Sequence, residues 1–170
     1  MTFRLQLFLL TVLLFLLTVP VCGQRNPETP KDRPKLVVGI VVDQMRYEYI
    51  PRFWEKFGEG GLKRLVNGGF SFKNNHFNYF PTYTGPGHAA IYTGTTPSVN
   101  GIVGNSWYER VGKHGMYVVS DTAMTTVGGE GNFGKISPAN LLSTTVTDEL
   151  KKSVPHSKVI SVSLKDRGAV

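Results

Sequence analysis

The sequence predicts an α/β fold in which a mostly parallel sheet is flanked by helices, and two observations support this prediction. Residues 36–42 form a continuous run of Leu, Val and Ile broken only by Gly39, which is typical of a parallel strand buried on both faces. Predicted strands and helices then alternate along the chain, an order that favours a parallel sheet. The strands are few for a sheet that needs cover on both faces. We therefore expect an incomplete fold, the amino-terminal part of a longer protein.

Residues 1–23 have the features of an export signal. Arg4 supplies the positive start, residues 5–19 are almost wholly apolar, and Pro20 precedes the small residue Gly23. This succession of a basic, an apolar and a cleavable region is typical of secretory leaders. We expect cleavage after Gly23. Retention as an uncleaved anchor is the alternative, although the apolar run is short for a bilayer span.

The mature protein is expected to begin with a linker at residues 24–35, which holds three prolines among charges. The folded part is expected at residues 36–170. Lipid attachment at Cys22 is less favoured, because lipoprotein processing prefers a small residue directly before the cysteine and a valine stands there. We therefore expect a periplasmic or secreted protein with no stable membrane insertion after cleavage.

The composition limits the chemistry that is available. Cys22 is the only cysteine, so the mature chain would hold no thiolate nucleophile and no Cys-zinc site. Any metal must then be bound by carboxylate, imidazole or hydroxyl groups. The net charge of +7 arises from basic residues scattered along the chain, which excludes a nucleic-acid stripe and predicts a solvated surface. Modest steering of anionic substrates is the other interpretation.

The first elements after residue 42 are predicted from local patterns. Residues 51–67 favour a helix in two pieces, which glycines at positions 68 and 69 would end. Partial alternation over residues 70–80 predicts a strand. A short helix is expected from Thr84 until Gly94.

The second half of the chain is richer in loops. Residues 95–101 have the composition of a turn, and residues 116–119 predict a short strand. Ser137, followed by a proline, predicts the start of a helix that runs to about Lys152. Residues 158–162 predict the last strand.

Thr84 and Asp43 are the first candidates for chemistry. Thr84 lies where a loop becomes a helix, and the first amides of a helix stabilise an anionic oxygen or a phosphoryl group. Asp43 follows the strand at residues 36–42, at the sheet edge where α/β folds place ligands. On local sequence alone, the simpler interpretation of Thr84 is that it is an N-cap, and Asp43 could also be the cap of the next helix.

Three further polar residues are predicted at the same edge. Lys165 and Arg167 follow the last predicted strand and provide cations for phosphate oxygens, while Asn105 can donate a hydrogen bond to the same group. The two cations could also be ordinary solvated loop charges. A Zn²⁺ ion bound by Asp43 could bind the Thr84 oxygen and lower its pKa. His88 is expected to hydrogen-bond within its loop rather than to bind metal.

Six motifs together resemble one known family, the PafA-type bacterial alkaline phosphatases with a threonine nucleophile. These motifs match in order and approximately in spacing from about residue 35 to residue 170. They are Val-Val-Asp-Gln-Met-Arg at 41–46, Gly-Glu-Gly-Gly-Leu-Lys-Arg at 58–64, Pro-Thr-Tyr-Thr-Gly-Pro-Gly-His at 81–88, Gly-Asn-Ser-Trp-Tyr at 104–108, Ser-Thr-Thr-Val-Thr-Asp at 143–148 and Ser-Leu-Lys-Asp-Arg at 163–167.

The resemblance implies an alkaline phosphatase-like fold and a role for each candidate residue. Asp43 matches a zinc ligand, and Thr84 matches the nucleophile that also binds that zinc and becomes phosphorylated. Asn105 matches the residue that contacts a phosphoryl oxygen. Lys165 and Arg167 match the pair that distinguishes monoesterases from related diesterases.

The family uses two zinc ions, and most of their ligands would lie beyond Val170. No Asp-x-x-x-His motif occurs in this sequence, so we expect this chain alone to be inactive.

The resulting hypothesis is a zinc-dependent phosphomonoesterase that acts through a phosphothreonine at Thr84. Its expected substrates are small phosphate monoesters, and we expect a monomer without a nucleic-acid partner. A phosphodiesterase or nucleotide pyrophosphatase of the same superfamily is one alternative. A non-catalytic exported protein that binds phosphate-bearing ligands is the other.

Overall fold

The computed structural model of the chain describes residues 34–170, and the chain divides into two units, Met1–Val42 and Asp43–Val170. The predicted leader and almost all of the predicted linker therefore lie outside the described residues. Within the described part, no helix is both long and apolar enough to cross a membrane.

Five helices and one two-stranded sheet make up the second unit, as far as it is described. The elements are α1 (Tyr49–Arg52), α2 (Gly61–Gly68), α3 (Thr84–Thr93), α4 (Pro97–Asn100), β1 (Ser106–Glu109), β2 (His114–Tyr117) and α5 (Val146–Ser153), with single 3₁₀ turns at Trp54–Lys56 and Asp166–Gly168.

The mostly parallel sheet is not confirmed. The strands β1 and β2 pair antiparallel, and they form the only sheet among residues 34–170. Residues 36–42, 70–80 and 158–162 were expected as strands, but the described part of the chain contains no strand that pairs with them. A strand needs neighbours for its N–H and C=O groups and for its apolar faces. Without such neighbours, side chains such as Val38 (68% exposed) and Ile160 (83%) stay open to solvent.

The short helix at Thr84 is confirmed. α3 begins at Thr84 and ends before Gly94, which has a φ of 67° and donates its N–H to the Ala90 carbonyl at 2.9 Å. Glycine favours this left-handed conformation because it has no Cβ to clash. The helix predicted in two pieces before it is also present, as α1 and α2 with a 3₁₀ turn between them.

The helix predicted from Ser137 begins later. The Ser137 hydroxyl accepts a hydrogen bond from the Ala139 amide at 3.2 Å, but this caps only one turn. The chain is then drawn away from a helical path, because the Leu142 amide donates to the Asn100 carbonyl at 2.9 Å. The helix α5 starts instead after Thr145, which forms a capping box with Asp148.

A small core joins α3 to the hairpin of β1 and β2. Three buried residues, Ile102, Val118 and Val119, form its centre, and Ala89 on α3 packs against them. Asn100 is fully buried, and its side-chain groups bond to main-chain atoms on both sides, including the Ile102 amide at 2.9 Å. This packing fixes the amino end of α3 relative to the strands that follow it.

Candidate active site

Thr84 is the first residue of α3 and is 9% exposed. The N-cap is Tyr83, which makes no side-chain capping bond, so the simple-cap interpretation of Thr84 is wrong. Its hydroxyl Oγ1 donates to Asp43 Oδ2 at 3.2 Å instead. The hydrogen bond fixes the direction of the Thr84 hydroxyl at the start of the helix, where the main-chain amides favour a bound anion.

Asp43 joins Thr84 to Lys165. Its Oδ2 atom accepts from both the Thr84 hydroxyl and the Lys165 ammonium, the latter at 2.8 Å. The Lys165 ammonium lowers the pKa of Asp43 below its ordinary value, against the opposite effect of burial, and the Thr84 hydroxyl lowers it further. The interpretation of Asp43 as a helix cap fails too, since α1 begins only at Tyr49 and has Glu48 as its N-cap.

Asn105 is tied to the residue after Thr84. Its Oδ1 atom accepts from the Gly85 amide at 2.8 Å, so the carboxamide nitrogen is the end that can donate to a ligand. A Cβ at Gly85 would lie 3.2 Å from Asn105 Oδ1 and 3.3 Å from the Gly104 carbonyl. An alanine here would require these neighbours to move by a few tenths of an ångström.

Arg167 lies two positions after Lys165 and is half-buried. Its Nη1 donates to the Tyr117 hydroxyl at 2.8 Å, and that hydroxyl donates to Asp166 Oδ1 at 2.6 Å. The Nε group of Arg167 is buried without a hydrogen-bond partner in the described part of the chain. Gly85 and Arg167 line the same cavity, of about 440 Å³.

Tyr117 and Asp166 were missed at the sequence level. Burial, together with the hydrogen bond to Asp166, raises the pKa of Tyr117 despite the opposing effect of Arg167. Asp166 stands between the two predicted cations in sequence, which was the one available signal. Tyr117 gave none, because its contact with Arg167 spans fifty positions.

His88 makes the local hydrogen bond that was predicted, although it lies inside α3 and not in a loop. Its Nδ1 atom lies 2.9 Å from the Thr84 carbonyl oxygen, and because a carbonyl only accepts, the ring nitrogen is the donor. No group of three or more His, Cys, Asp and Glu side chains that could hold a metal occurs among residues 34–170.

Asp43 and Thr84 nevertheless fit one edge of a zinc site. Their oxygens are 3.2 Å apart, and two oxygen ligands of one tetrahedral zinc ion lie roughly 3.4 Å apart. Carboxylate oxygen is a common zinc ligand. The two residues would therefore hold such an ion together with ligands from outside the described residues.

The structure thus brings the predicted residues to one place. Asp43, Thr84 and Lys165 are linked directly, and Asn105 is linked through Gly85. Arg167 shares a cavity with Gly85, which the other four candidates do not line. A hydroxyl, a carboxylate, an amide and a lysine at one helix start, with an arginine two positions after the lysine, are groups that suit binding of a phosphoryl group.

Comparison with known proteins agrees with this chemistry. Residues 37–161 match the family described as type I phosphodiesterase / nucleotide pyrophosphatase. Alkaline phosphatase PhoV of Synechococcus elongatus is 54% identical over 139 residues, which are 81% of this chain and 25% of PhoV. A Myroides odoratus protein named calcium-transporting ATPase is 49% identical over 82% of this chain and 26% of its own length.

Solved structures extend the likeness to the fold. The crystal structure of alkaline phosphatase PafA matches with a TM-score of 0.79 at 51% identity, over 80% of this chain and 26% of PafA. The fold is therefore that of the corresponding part of an alkaline phosphatase. This chain spans about a quarter of the length of the relatives it matches. It belongs to the type I phosphodiesterase / nucleotide pyrophosphatase family, within which it is a homologue of the PafA-type alkaline phosphatases.

Proposed function

We propose that the protein that contains this chain is a zinc-dependent alkaline phosphatase that hydrolyses phosphate monoesters through a phosphothreonine at Thr84. The observation that most directly supports this is the shared carboxylate of Asp43, which binds the Thr84 hydroxyl at 3.2 Å and the Lys165 ammonium at 2.8 Å. The proposed nucleophile and the proposed phosphate-binding cation would therefore share one acidic group.

Thr84 provides the attacking oxygen. Bound zinc would stabilise the deprotonated hydroxyl and the leaving oxygen of the ester. The Thr84 oxygen would then form a bond to phosphorus while the bond between phosphorus and the alcohol oxygen breaks, and the released oxygen would take a proton from water. A water molecule would later attack phosphorus, break its bond to the Thr84 oxygen and release phosphate. The buried start of α3 orients the hydroxyl, and its dipole favours the negative charge on both the nucleophile and the phosphoryl group.

Asn105, Lys165 and Arg167 would bind the phosphoryl oxygens. A monoester dianion carries more charge on these oxygens than a diester, so two cations favour the monoester. The Lys165 ammonium has three N–H donors and can keep Asp43 while it binds a phosphoryl oxygen. The planar guanidinium of Arg167 could bind a second phosphoryl oxygen.

A second PafA structure supports the choice of residues. That protein carries four replacements, at a threonine, an asparagine, a lysine and an arginine, in that order along its chain. The lysine and the arginine are separated by two positions. The candidates Thr84, Asn105, Lys165 and Arg167 have the same types, order and final spacing. That structure matches this chain with a TM-score of 0.79 at 48% identity.

Phosphodiester hydrolysis is the second candidate, favoured by the description of the matching family. The test uses the full-length protein with zinc, an aryl phosphate monoester and an aryl phosphate diester. We expect a higher kcat/KM for the monoester, and loss of nearly all turnover in Thr84→Ala.

Thr82→Ala is the matched control, because Thr82 is exposed two positions earlier; it should keep wild-type rates. A preference for the diester would contradict the proposal of a monoesterase. Full activity of Thr84→Ala would contradict the proposal that Thr84 is the nucleophile.

Export is part of the same proposal. The protein would act in the periplasm or outside the cell after cleavage behind Gly23, on small phosphate monoesters. Sequencing the amino terminus of the protein purified from the periplasm tests this: Gln24 as the first residue is expected, and an intact Met1 would contradict it.

A further inference from the structure

We propose that Tyr117 and Asp166 are positioning residues that hold the guanidinium of Arg167 in the orientation needed to bind a phosphoryl oxygen. This inference rests on the proposed function in one respect, namely that Arg167 binds the phosphoryl group. It adds two residues to which the motifs assigned no role.

The contact is a bridge through one hydroxyl group. The Tyr117 hydroxyl accepts from Arg167 Nη1 at 2.8 Å and donates to Asp166 Oδ1 at 2.6 Å. The direct distance from Nη1 to Oδ1 is 3.9 Å, too long for a hydrogen bond. The carboxylate and the guanidinium form an ion pair at this distance, but the hydrogen bonds that connect them pass through the phenol.

The direction of both hydrogen bonds is fixed by chemistry. A guanidinium only donates, and a carboxylate only accepts. The Tyr117 proton must therefore point at Asp166, and its lone pair must face Arg167. Charge on both outer groups strengthens such a chain, so the bridge selects one orientation of the guanidinium.

The two residues that build the bridge are themselves held. Tyr117 is the last residue of β2, and its ring packs against the buried core of Ile102, Val118 and Val119. Asp166 Oδ1 also accepts from the Arg167 amide at 2.7 Å, which ties the carboxylate to the start of the 3₁₀ turn.

The bridge occupies one end of the guanidinium fork. Nη1 is engaged by Tyr117, while Nε is buried and has no partner within residues 34–170. Because the guanidinium is planar and its N–H groups have fixed directions, holding Nη1 also fixes the directions of the other N–H donors of Arg167.

Tyr117→Phe isolates the hydroxyl from the rest of the contact. The aromatic ring, over which the Arg167 guanidinium lies at 5.9 Å from the centroid, is kept, and only the bridge is removed. Tyr108→Phe is the matched control, because Tyr108 lies on the same hairpin and is 63% exposed.

The experiment measures binding of inorganic phosphate to the full-length protein in zinc by calorimetry. Wild type, Tyr117→Phe, Arg167→Ala and the double variant form one thermodynamic cycle. We expect Tyr117→Phe to weaken phosphate binding about 10-fold in the wild-type background and less than about 2-fold in the Arg167→Ala background. Tyr108→Phe should leave binding unchanged in both.

Equal losses in the two backgrounds would overturn the inference, since a purely structural tyrosine would act without Arg167. Absence of any effect of Tyr117→Phe, or of phosphate binding by the wild type, would overturn it as well. Because the readout is binding and not turnover, a protein that fails to hydrolyse monoesters but shows the coupling would refute the proposed function and leave the inference standing.

Discussion

At the first residue of α3, the Thr84 hydroxyl donates to Asp43 and leaves the helix amides to other partners. The Gly85 amide donates to Asn105 Oδ1, so one candidate residue orients another through the main chain. A ligand oxygen near Thr84 would therefore meet a helix start whose first side chains are already positioned. Preorganisation of this kind is the main source of electrostatic stabilisation in enzyme sites.

Gly85→Ala tests this arrangement. The added Cβ would lie 3.2 Å from Asn105 Oδ1 and 3.3 Å from the Gly104 carbonyl, so Asn105 must move. We expect kcat/KM for a phosphate monoester to fall about 10-fold or more, because small displacements of positioned groups are costly to the rate. Steady-state kinetics on the full-length protein measures this.

Gly87→Ala is the control for that change. Nothing lies within 4 Å of a Cβ at Gly87, and alanine is a better helix former than glycine. It should keep wild-type kinetics. Equal losses in both variants would show that helix composition, and not the approach of Asn105, limits the rate.

At the scale of single elements, α5 depends on its first turn. The Thr145 hydroxyl accepts from the Asp148 amide at 3.2 Å, and the Asp148 carboxylate accepts from the Thr145 amide at 2.7 Å. The hydrogen bond from the Thr145 amide is the main cause that lowers the pKa of Asp148 below the ordinary aspartate value of 3.8, and the bond from the Thr145 hydroxyl lowers this pKa further. A carboxylate whose pKa is lower in the folded state stabilises that state only while it is ionised.

The stability of α5 should therefore depend on pH in one direction. The contribution of Asp148 is complete above about pH 4 and is lost as the pH falls through its lowered folded-state pKa. Amide hydrogen exchange of α5 in wild type and Asp148→Ala measures it: we expect a difference in protection at neutral pH that shrinks below pH ~4.

Asp148→Asn keeps an oxygen acceptor but cannot titrate. The amide protection of α5 in this variant should therefore not fall between neutral pH and pH ~4 and below in the way expected for wild type. Thr145→Ala should weaken the helix by about 1 kcal/mol at neutral pH. If the difference in amide protection between wild type and Asp148→Ala increases as the pH falls, the role of the capping box is contradicted.

At the scale of the whole molecule, features that depend on neighbouring residues in the sequence were predicted better than features that depend on contacts between distant segments. The start of α3 at Thr84 and its end before Gly94 were predicted correctly, because both depend on the types of residue that are adjacent in sequence. Asp43, Asn105 and Lys165 were expected near Thr84 from strand ends and motifs, and the structure brings them together. Their chemical roles stay predictions.

Features that depend on distant partners were predicted poorly. The parallel sheet was expected from apolar runs such as residues 36–42, but a run does not specify what pairs with it, and no strand of the described residues does. The helix from Ser137 failed because a bond from Leu142 to Asn100 redirects the chain. Tyr117 contacts Arg167 across fifty positions, so no local pattern could reveal it.

The exposed apolar segments lead to a prediction for the chain produced alone. Residues such as Leu36, Ile160 and Val162 are 78%, 83% and 90% exposed, a degree typical of surfaces that pack elsewhere in a complete fold. The 170-residue chain alone should show no phosphatase turnover with zinc and should bind a hydrophobic dye. The full-length protein should hydrolyse the monoester and should not bind the dye. Turnover by the isolated chain would contradict the expectation.

The stereochemistry at phosphorus tests most directly whether the reaction passes through a covalent phosphoenzyme, as the proposed role of Thr84 requires. The full-length protein would transfer phosphate to an alcohol from a monoester made chiral with oxygen isotopes. Two successive in-line displacements, first by Thr84 and then by the acceptor, predict retention of configuration. Direct attack by the acceptor gives inversion, and inversion would contradict the phosphothreonine mechanism whatever the rate of the reaction.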